Sequence, residues 1–379
     1  MSGKFIPYGR HWIDKEDINS TISVLRSDFI TQGPKVKEFE DKVANYCGAK
    51  YAVAVSSGTA ALHIACLAAD IKDGDEVITT PISFVASSNC VVYCGGAPVF
   101  ADIDPETINI DPKQIKGKIG PRTKAIIPVH FGGYPCDLRE IQEVAKRHNL
   151  IIIEDATHAL GAEYRTVKIG SSKYSDMTVF SFHPVKHITT GEGGMVLTNR
   201  RDLYEKLIAF RNHGIIKDRR NLLKKNEGRW YYEMQFLGFN YRITDFQCAL
   251  GISQLRKLER FIKRRRQIVN IYYRELSKLK GLELIMEKDY VKSAWHIYVI
   301  KIKKERRKIF DRLFKAGIGV NVHYRPIYLH PFYQRLGYRE GLCPEAQRYY
   351  NEALTIPLHS RMTEEETFYI VNKIKESLS

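Results

Sequence analysis

Short apolar runs alternate with helical patterns over the first two-thirds of this 379-residue chain. Helical patterns occur at Ala60–Ala69, Phe84–Cys94 and Leu138–Arg147. The apolar runs between them have the composition of buried strands: Tyr51–Val55, Glu76–Ile78, Ala97–Phe100, Thr123–Pro128, Ile151–Glu154, Met177–Ser181 and Gly194–Leu197. This alternation predicts an α/β fold with a mostly parallel central sheet that is covered by helices on both faces. Ligands of such sheets bind beyond the carboxyl ends of the strands.

The pattern changes at about residue 245. A long amphipathic helix is predicted from Asp245 to about Leu279, followed by a strand at Trp295–Ile302 and a helix at Ile309–Ala316. A chain of this length exceeds what one core usually holds, so two domains are expected. We predict a large domain over residues 15–250 and a smaller α+β domain over residues 251–379, joined by residues 1–14, with the long helix as the connection.

The composition predicts a soluble, cytoplasmic protein with reduced cysteines. Hydrophobic residues make up 44% of the chain and charged residues 27%, which is ordinary for a globular protein. No apolar run approaches the roughly 18 residues that a membrane span needs, and residues 1–7 show no apolar signal core. The seven cysteines are odd in number and form no Cys-x-x-Cys pair, which indicates free thiols rather than disulfides or a zinc site.

The formal net charge of +16 leaves three interpretations open. A DNA-binding regulator is one, since nucleic-acid-binding proteins are basic. The basic residues, however, cluster in mixed helical stretches such as residues 257–266, with no interleaved aromatics and no helix-turn-helix signature. A solvated helix face accounts for such a stretch. The surplus would also attract a polyanionic small substrate such as a nucleotide-linked sugar.

Lys186 is the first candidate for chemistry, because it directly follows a strand-like run in Ser181-Phe182-His183-Pro184-Val185-Lys186. A lysine on a turn that leaves a buried strand can be partly desolvated, which lowers the pKa of its ammonium and frees the amine as a nucleophile. Such an amine can hold an aldehyde cofactor as a Schiff base. Taken alone, Lys186 could equally be one of many surface lysines.

Asp155 strengthens the interpretation, since it closes the apolar run 151–154 at the expected ligand edge of the sheet. A carboxylate at a strand end can cap a helix. Beside a Schiff-base lysine, it can keep the pyridine nitrogen of pyridoxal phosphate (PLP) protonated, so that the ring withdraws electrons. His158, three residues later, could contact the phenolate oxygen of that cofactor or stack on its ring; a plain core histidine is the alternative.

A phosphate site is predicted where the run Val53–Val55 meets the following helix. Residues 56–59 are Ser-Ser-Gly-Thr, and free N–H groups at a helix N-terminus with nearby hydroxyls suit a phosphate. Gly58 lets the backbone approach closely. Ser181 offers a second hydroxyl. Phe84, at another strand-to-helix turn, could stack on the cofactor ring or could be a core phenylalanine.

Taken together, these segments resemble the DegT-type nucleotide-sugar aminotransferases, which are PLP-dependent transferases of fold type I. The resemblance runs from residue 30 to residue 359. It rests on Ser-Ser-Gly-Thr-Ala-Ala-Leu (56–62), Glu-Asp-Ala-Thr-His-Ala (154–159), Ser-Phe-His-Pro-Val-Lys (181–186), Gly-Glu-Gly-Gly (191–194) and Gly-Phe-Asn-Tyr-Arg-Ile (238–243). In the last of these, Ile243 replaces the family's usual methionine.

The resemblance implies a role for each candidate. Lys186 would carry the cofactor covalently, Asp155 would hold the pyridine nitrogen, and His158 would lie on the phenolate side. The phosphate would be bound by Gly58, Thr59 and Ser181. No metal is implied.

Further residues are implied by the same resemblance to act between subunits or on the substrates. Asn240 would reach the phosphate of a neighbouring subunit, so that the active sites would be shared in a homodimer. Arg242 would meet the carboxylate of the amino donor, L-glutamate. His323 and Tyr324 would border the substrate cleft.

The resemblance also indicates a subgroup. The segments around 78–86 and 322–328, with the following Tyr333-Gln334, are most similar to the pseudaminic acid pathway members, which aminate C-4 of a UDP-linked 4-keto-6-deoxy-N-acetylhexosamine. Family members that act as sugar dehydratases carry histidine in place of the lysine, so Lys186 favours transamination. Amination of another nucleotide-linked keto-sugar, a PLP-binding dehydratase and a regulator are the alternatives.

Overall fold

The structure is a computed structural model and describes residues 5–378. Within them, none of the helices is both long and apolar enough to cross a membrane. The described helices are α1 Lys15–Leu25, α2 Pro34–Cys47, α3 Gly58–Ala68, α4 Ala86–Tyr93, α5 Pro112–Lys116, α6 Leu138–His148, α7 Arg201–Arg211, α8 Asp245–Leu255, α9 Leu258–Leu276, α10 Arg306–Lys315, α11 Pro331–Arg335, α12 Pro344–Glu352 and α13 Glu364–Leu378.

Short 3₁₀ turns lie at Phe131–Gly133, Arg219–Asn221 and Ile327–Leu329. The strands that the structure describes are β1 Tyr51–Val55, β2 Glu76–Thr79, β3 Ala97–Phe100, β4 Thr123–Ile127, β5 Ile151–Asp155, β6 Glu163–Tyr164, β7 Val167–Lys168, β8 Met177–Ser181, β9 Gly194–Thr198, β10 Ile215–Ile216, β11 Glu233–Met234, β12 Leu282–Leu284, β13 Val291–Lys292, β14 Tyr298–Ile302 and β15 Ala353–Ile356.

The central sheet has seven strands in the order β1-β9-β8-β5-β4-β2-β3. Its neighbours pair in parallel except at β9, which is antiparallel to both β1 and β8. The predicted mostly parallel α/β sheet is therefore confirmed, and β1, β3 and β8 have the predicted bounds. Because β1, β5 and β8 point the same way, their carboxyl ends meet at one edge, where Asp155 and Ser181 are the last strand residues.

Three apolar clusters hold the molecule together. Two of them pack against the central sheet, and fully buried side chains such as Val53, Ile153 and Phe180 come from its strands. The third is formed by apolar side chains from the C-terminal part of the chain, between Ile268 and Ile374, together with Ile6, and it covers the small antiparallel sheet β12-β14-β15. This arrangement agrees with an α+β part at the C-terminal end. The predicted boundary at residue 250 falls within α8, and the division into domains stays a prediction; residues 1–4 and 379 lie outside the described residues.

The single long helix predicted from Asp245 to Leu279 is wrong. Two helices, α8 and α9, replace it, and the break lies at Arg256 and Lys257. The ammonium of Lys257 is buried there and lies 2.8 Å from the buried carboxylate of Asp17. Folding the chain at this point lets α8 pack against α1 while α9 packs against α13. No glycine or proline marks the break, so the periodicity of the sequence could not show it.

We expected the basic stretch 257–266 to form a solvated helix face, but only some of its side chains are exposed. Arg265 is 2% exposed, and its Nη1 donates hydrogen bonds to the backbone oxygens of Trp295, His296 and Leu358. Burial lowers the pKa of this guanidinium to about 10. Arg265 therefore joins α9 to the segment before β14 and to the segment after β15.

Candidate active site

A cavity with a volume of about 670 Å³ lies at the carboxyl edge of the central sheet. Cavities of this size commonly hold small ligands. The chain places most of the predicted site residues around it: Gly58, Thr59, Phe84, Asp155, Ser181, Lys186, His323 and Tyr324. Segments separated by more than 260 residues in the sequence therefore line one space.

Lys186 lies in the loop between β8 and β9. Hydrogen bonds from the backbone N–H of Phe182 to Gly193 O (2.8 Å) and from Thr190 N to Phe182 O (3.0 Å) close the base of this loop. The side chain of Lys186 is half-buried. This burial lowers the pKa of Lys186 to about 8, although the negative charge of Asp155 opposes the change. A lysine with this pKa has a useful fraction of free amine near neutral pH.

Asp155 is 2% exposed and is held at both oxygens. Ser87 Oγ donates to Oδ2 over 2.6 Å, and the backbone N–H of Thr157 donates to Oδ1 over 3.1 Å. The hydroxyl of Ser83 lies 2.7 Å from that of Ser87. These donors stabilise the ionised carboxylate, as a partner for a protonated pyridine nitrogen requires.

We predicted a phosphate site at the N-terminus of α3, and this helix end lines the cavity. Ser57 caps the helix by accepting a hydrogen bond from Ala60 N over 3.0 Å, while the N–H groups of Gly58 and Thr59 have no partner within residues 5–378. A Cβ atom at Gly58 would lie 2.8 Å from Cβ of Ser181, so only glycine fits. The free N–H groups at this helix N-terminus and the hydroxyls of Thr59 and Ser181 fit the phosphate of PLP.

His158 lies behind the cavity and does not line it directly. Its ring is 2% exposed, with its centroid 4.3 Å from that of His296 and 6.4 Å from that of Tyr324. Burial holds the pKa of His158 well below its usual value, and the charge of Lys186 acts in the same direction. The imidazole is therefore neutral, and its predicted contact with the phenolate oxygen stays a prediction.

Two of the predicted site residues, Asn240 and Arg242, do not line the cavity that contains Lys186. Asn240 is exposed and forms an isolated antiparallel bridge with Asn212. Arg242 donates from Nη1 to Asn212 Oδ1 over 2.7 Å and lines a different cleft, next to Glu40. A role for either residue at a PLP site would therefore require a second copy of the chain.

His323 and Tyr324 line the cavity, as predicted for the substrate cleft. His323 Nδ1 lies 2.8 Å from Thr355 Oγ1, and burial lowers the pKa of the ring to about 4. Phe84 lies at the same cavity with 58% of its surface exposed. It is therefore not a core phenylalanine, and its ring is available for stacking.

Sequence reasoning missed several residues that line the cavity: Tyr8, Ser83, Ser87, His296, Arg325 and His330. Ser83 and Ser87 carry a detectable signal, since two serines four residues apart flank the predicted aromatic at the start of a helix. His296 falls in the segment 295–302 that we predicted as strand, whereas β14 begins only at Tyr298. Arg325 directly follows the predicted cleft residues His323 and Tyr324, whereas Tyr8 stands in no local motif.

The model of the DegT/DnrJ/EryC1/StrS aminotransferase family matches residues 11–375. The UDP-4-amino-4,6-dideoxy-N-acetyl-beta-L-altrosamine transaminase of Campylobacter jejuni is 38% identical, covering 98% of this chain and 99% of that protein. The GDP-perosamine synthase of Caulobacter vibrioides is 37% identical over 91% of each chain. Among solved structures, Helicobacter pylori PseC, an aminotransferase involved in the biosynthesis of pseudoaminic acid, is 33% identical with a TM-score of 0.92, covering 99% of both chains.

These similarities extend over nearly the whole chain, and they agree with the cavity in which a low-pKa lysine, a buried carboxylate and a phosphate cradle meet. The chain therefore belongs to the DegT/DnrJ/EryC1/StrS aminotransferase family and is a PLP-dependent aminotransferase.

Proposed function

We propose that this chain transfers an amino group from L-glutamate to C-4 of a UDP-linked 4-keto-6-deoxy-N-acetylhexosamine. One observation supports this reaction type: Lys186, Asp155 and the N-terminus of α3 all line the same cavity. The choice of acceptor is supported by the similarity to the Campylobacter and Helicobacter proteins. The alternative is another nucleotide-linked keto-sugar, with dTDP or GDP as the nucleotide or C-3 as the carbon.

The fixed residues of the site hold and polarise the cofactor. Bound PLP supplies an aldehyde that accepts the amino group and a ring that withdraws electrons. Asp155 keeps the ring nitrogen protonated, because its ionised carboxylate is fixed by Ser87 and Thr157. Gly58, Thr59 and Ser181 bind the phosphate, and His158 lies on the phenolate side as a neutral imidazole.

Lys186 has two roles in the proposed reaction. Its amine would hold the cofactor covalently until the amino group of glutamate took its place. The freed amine would then move the proton from the α-carbon of glutamate, and water would supply the keto oxygen of the released 2-oxoglutarate. In the second half-reaction Lys186 would move the proton in the opposite direction, and the keto oxygen of the sugar would leave as water. The pKa of about 8 suits a group that must both accept and donate a proton near neutral pH.

A homodimer with shared active sites completes the proposal. Asn240 is exposed and lies outside the cavity of its own chain, which supports its predicted contact with the phosphate bound by a partner subunit. Arg242 would act from the same segment on the carboxylate of the amino donor. The cytoplasmic location stays a prediction.

The proposal is tested by mass spectrometry of products from a panel of nucleotide-linked keto-sugars incubated with glutamate. Transamination replaces the keto oxygen of the sugar by an amine and forms one 2-oxoglutarate per sugar. A dehydratase would instead remove water from the sugar and leave glutamate unchanged. Lys186→Ala, folded but inactive on every sugar, is the matched control. Turnover by that variant at the wild-type rate would contradict the proposed role of Lys186.

A further inference from the structure

Three cysteines lie together where helices α3 and α4 pack against each other. Cys66 is on α3, Cys90 is on α4, and Cys94 directly follows α4. Cys66 and Cys90 are fully buried, whereas Cys94 is partly exposed. Hydrogen bonds with Cys90 and Cys94 raise the pKa of the Cys66 thiol well above its usual value, and burial acts in the same direction. The structure therefore places one accessible thiol beside a buried thiol of another helix.

Cys94 has the surroundings of a reactive thiol. Hydrogen bonds from Cys66 and His63 lower the pKa of Cys94 to about 6, although burial opposes this change. A thiol with this pKa is mostly thiolate at neutral pH, and the thiolate is the nucleophilic form. Four other cysteines differ from it, because burial raises the pKa of each of their thiols: Cys47, Cys136, Cys248 and Cys343.

His63 adds an imidazole to these thiols, and we name Cys66, Cys90, Cys94 and His63 the thiol cluster. Nδ1 of His63 lies 3.1 Å from the hydroxyl of Tyr241. If this hydroxyl donates to Nδ1, the proton of a neutral imidazole is on Nε2 and can be donated to the sulfur of Cys94. The thiolate is then stabilised without a charged histidine.

Both helices of the thiol cluster begin at the active-site cavity. Thr59, at the start of α3, and Ser87, at the start of α4, line this cavity. The thiols lie toward the opposite ends of the same two helices, and Cys90 Sγ donates to the backbone oxygen of Ser87 over 3.4 Å. A covalent link between α3 and α4 would therefore act on the elements that form the phosphate site and orient Asp155.

We propose that Cys94 is a peroxide-reactive thiol and that Cys66 forms a disulfide with it, which inhibits the enzyme reversibly. The thiolate of Cys94 attacks one oxygen of hydrogen peroxide, the O–O bond breaks, and hydroxide leaves while the sulfur becomes a sulfenic acid. The thiol of Cys66 then attacks this sulfur, and its proton leaves with the hydroxyl group as water. Two thiols are oxidised and one peroxide is reduced. A dithiol reductant restores both thiols.

This chemistry does not depend on the sugar that accepts the amino group. Disulfides of proteins in reducing compartments are usually transient and redox-sensing, so the proposal agrees with the free thiols that the sequence indicates. An accessible thiol of low pKa with a second thiol beside it is the usual arrangement of a redox-sensing site.

Peptide mapping by mass spectrometry, after the PLP-loaded enzyme is treated with hydrogen peroxide and its remaining thiols are alkylated, tests the site. The wild type should form a disulfide between Cys66 and Cys94 that dithiothreitol removes. Cys66→Ala should instead retain a sulfenic acid on Cys94, which dimedone traps. Cys94→Ala should form neither product. A wild type that keeps both thiols free under peroxide would overturn the proposal.

Cys90→Ala is the matched control, because Cys90 is buried in the same cluster but is not needed for the proposed link. It should form the disulfide between Cys66 and Cys94 at the wild-type rate. A disulfide between Cys66 and Cys90 in the wild type would contradict the role of Cys94. Retained cofactor absorbance and melting temperature show that each variant is folded.

The donor half-reaction, followed by the discharge of the cofactor absorbance with glutamate, tests the inhibition without any sugar. Peroxide should slow it by roughly tenfold or more in the wild type, since disturbing the bond between Ser87 and Asp155 removes a hydrogen bond to a buried charge. Dithiothreitol should restore the rate, and Cys94→Ala should keep its rate under peroxide. Equal inhibition of Cys94→Ala, or a wild-type disulfide that leaves the rate unchanged, would overturn the regulatory role.

Discussion

Ser87 donates a hydrogen bond from its hydroxyl to Oδ2 of Asp155 over 2.6 Å, and both side chains are almost fully buried. This bond joins the first turn of α4 to the end of β5. It orients the carboxylate that we propose as the partner of the cofactor ring nitrogen, and a sequence motif around Asp155 alone does not contain it.

Replacing Ser87 by alanine is therefore expected to slow catalysis more than it destabilises the fold. Loss of one hydrogen bond to a buried charge corresponds to about 1.5–3 kcal/mol, or roughly a 10- to 100-fold lower kcat. Ser88→Ala is the control, because Ser88 is equally buried on the same helix but does not bond Asp155. A wild-type kcat in Ser87→Ala would show that Thr157 alone suffices to fix the carboxylate.

The close approach of Gly58 to Ser181 predicts that Gly58→Ala loses cofactor affinity. The added methyl would lie 2.8 Å from Cβ of Ser181, and relieving this overlap would move the N-terminus of α3 away from the phosphate. Overpacking of this kind costs about 1–3 kcal/mol, so the dissociation constant for PLP, followed by fluorescence, should rise roughly tenfold. Gly117→Ala is the control, since a Cβ there would meet only the backbone oxygen of Gln114, at 3.9 Å. Equal PLP affinity in both variants would contradict the cradle.

The pKa of Lys186 predicts how PLP binding depends on pH. The pKa is lowered from that of a free lysine to about 8, so the amine is protonated below this pH and free above it. The rate at which the apo-protein captures PLP should rise with pH, reach half of its maximum near pH 8 and then level off. A rate that still rises at pH 10 would indicate an ordinary exposed lysine.

The lowered pKa of Lys186 also predicts how the stability of the apo-protein depends on pH. Because the unfolded state binds the proton more tightly than the folded state, the contribution of Lys186 to the free energy of unfolding increases as the pH rises from about 8 toward the ordinary lysine range. Lys186→Met apo-protein should lack this increase. Chemical denaturation of both proteins over this pH range measures the difference.

Arg265 should be important for stability. Alanine at this position would leave the backbone oxygens of Trp295, His296 and Leu358 without their donor, and buried acceptors without partners cost about 1–3 kcal/mol each. We expect a loss of several kcal/mol in the free energy of unfolding, measured by urea denaturation. Lys263→Ala, two residues away on the exposed face of α9, should change it by less than about 0.5 kcal/mol. A similarly small loss in Arg265→Ala would contradict the buried network.

Mixed dimers test the shared active site. Lys186→Ala and Asn240→Ala should each be inactive or strongly impaired alone. When the two are unfolded, mixed and refolded together, about half of the dimers are hybrids with one intact site, so about a quarter of the wild-type activity should return. No recovery on mixing would show that Asn240 does not act across subunits.

The seven-stranded sheet was predictable from the sequence because buried strands leave short apolar runs. Residues at the carboxyl ends of these strands, such as Asp155 and Ser181, are expected to converge wherever the strands are parallel. The N-terminus of α3 could be placed at the same edge because this helix begins directly after a strand. The roles of these residues toward the cofactor stay predictions.

Contacts between distant segments could not be predicted in this way. Nothing in the residues around Arg265 shows that it is buried, because its acceptors are backbone oxygens 30 and 93 residues away. The break at Lys257 depends on Asp17, near the other end of the chain. His296 reaches the cavity only because the C-terminal part of the chain packs over the sheet edge, which no local pattern encodes.

The covalent attachment of the cofactor to one lysine is the central claim, and borohydride reduction tests it most directly. Treating the PLP-loaded enzyme with borohydride and mapping the modified peptide by mass spectrometry should place the cofactor on Lys186 alone, in the peptide that follows Ser181. A label on another lysine, or no label on a protein that retains PLP absorbance, would contradict the account.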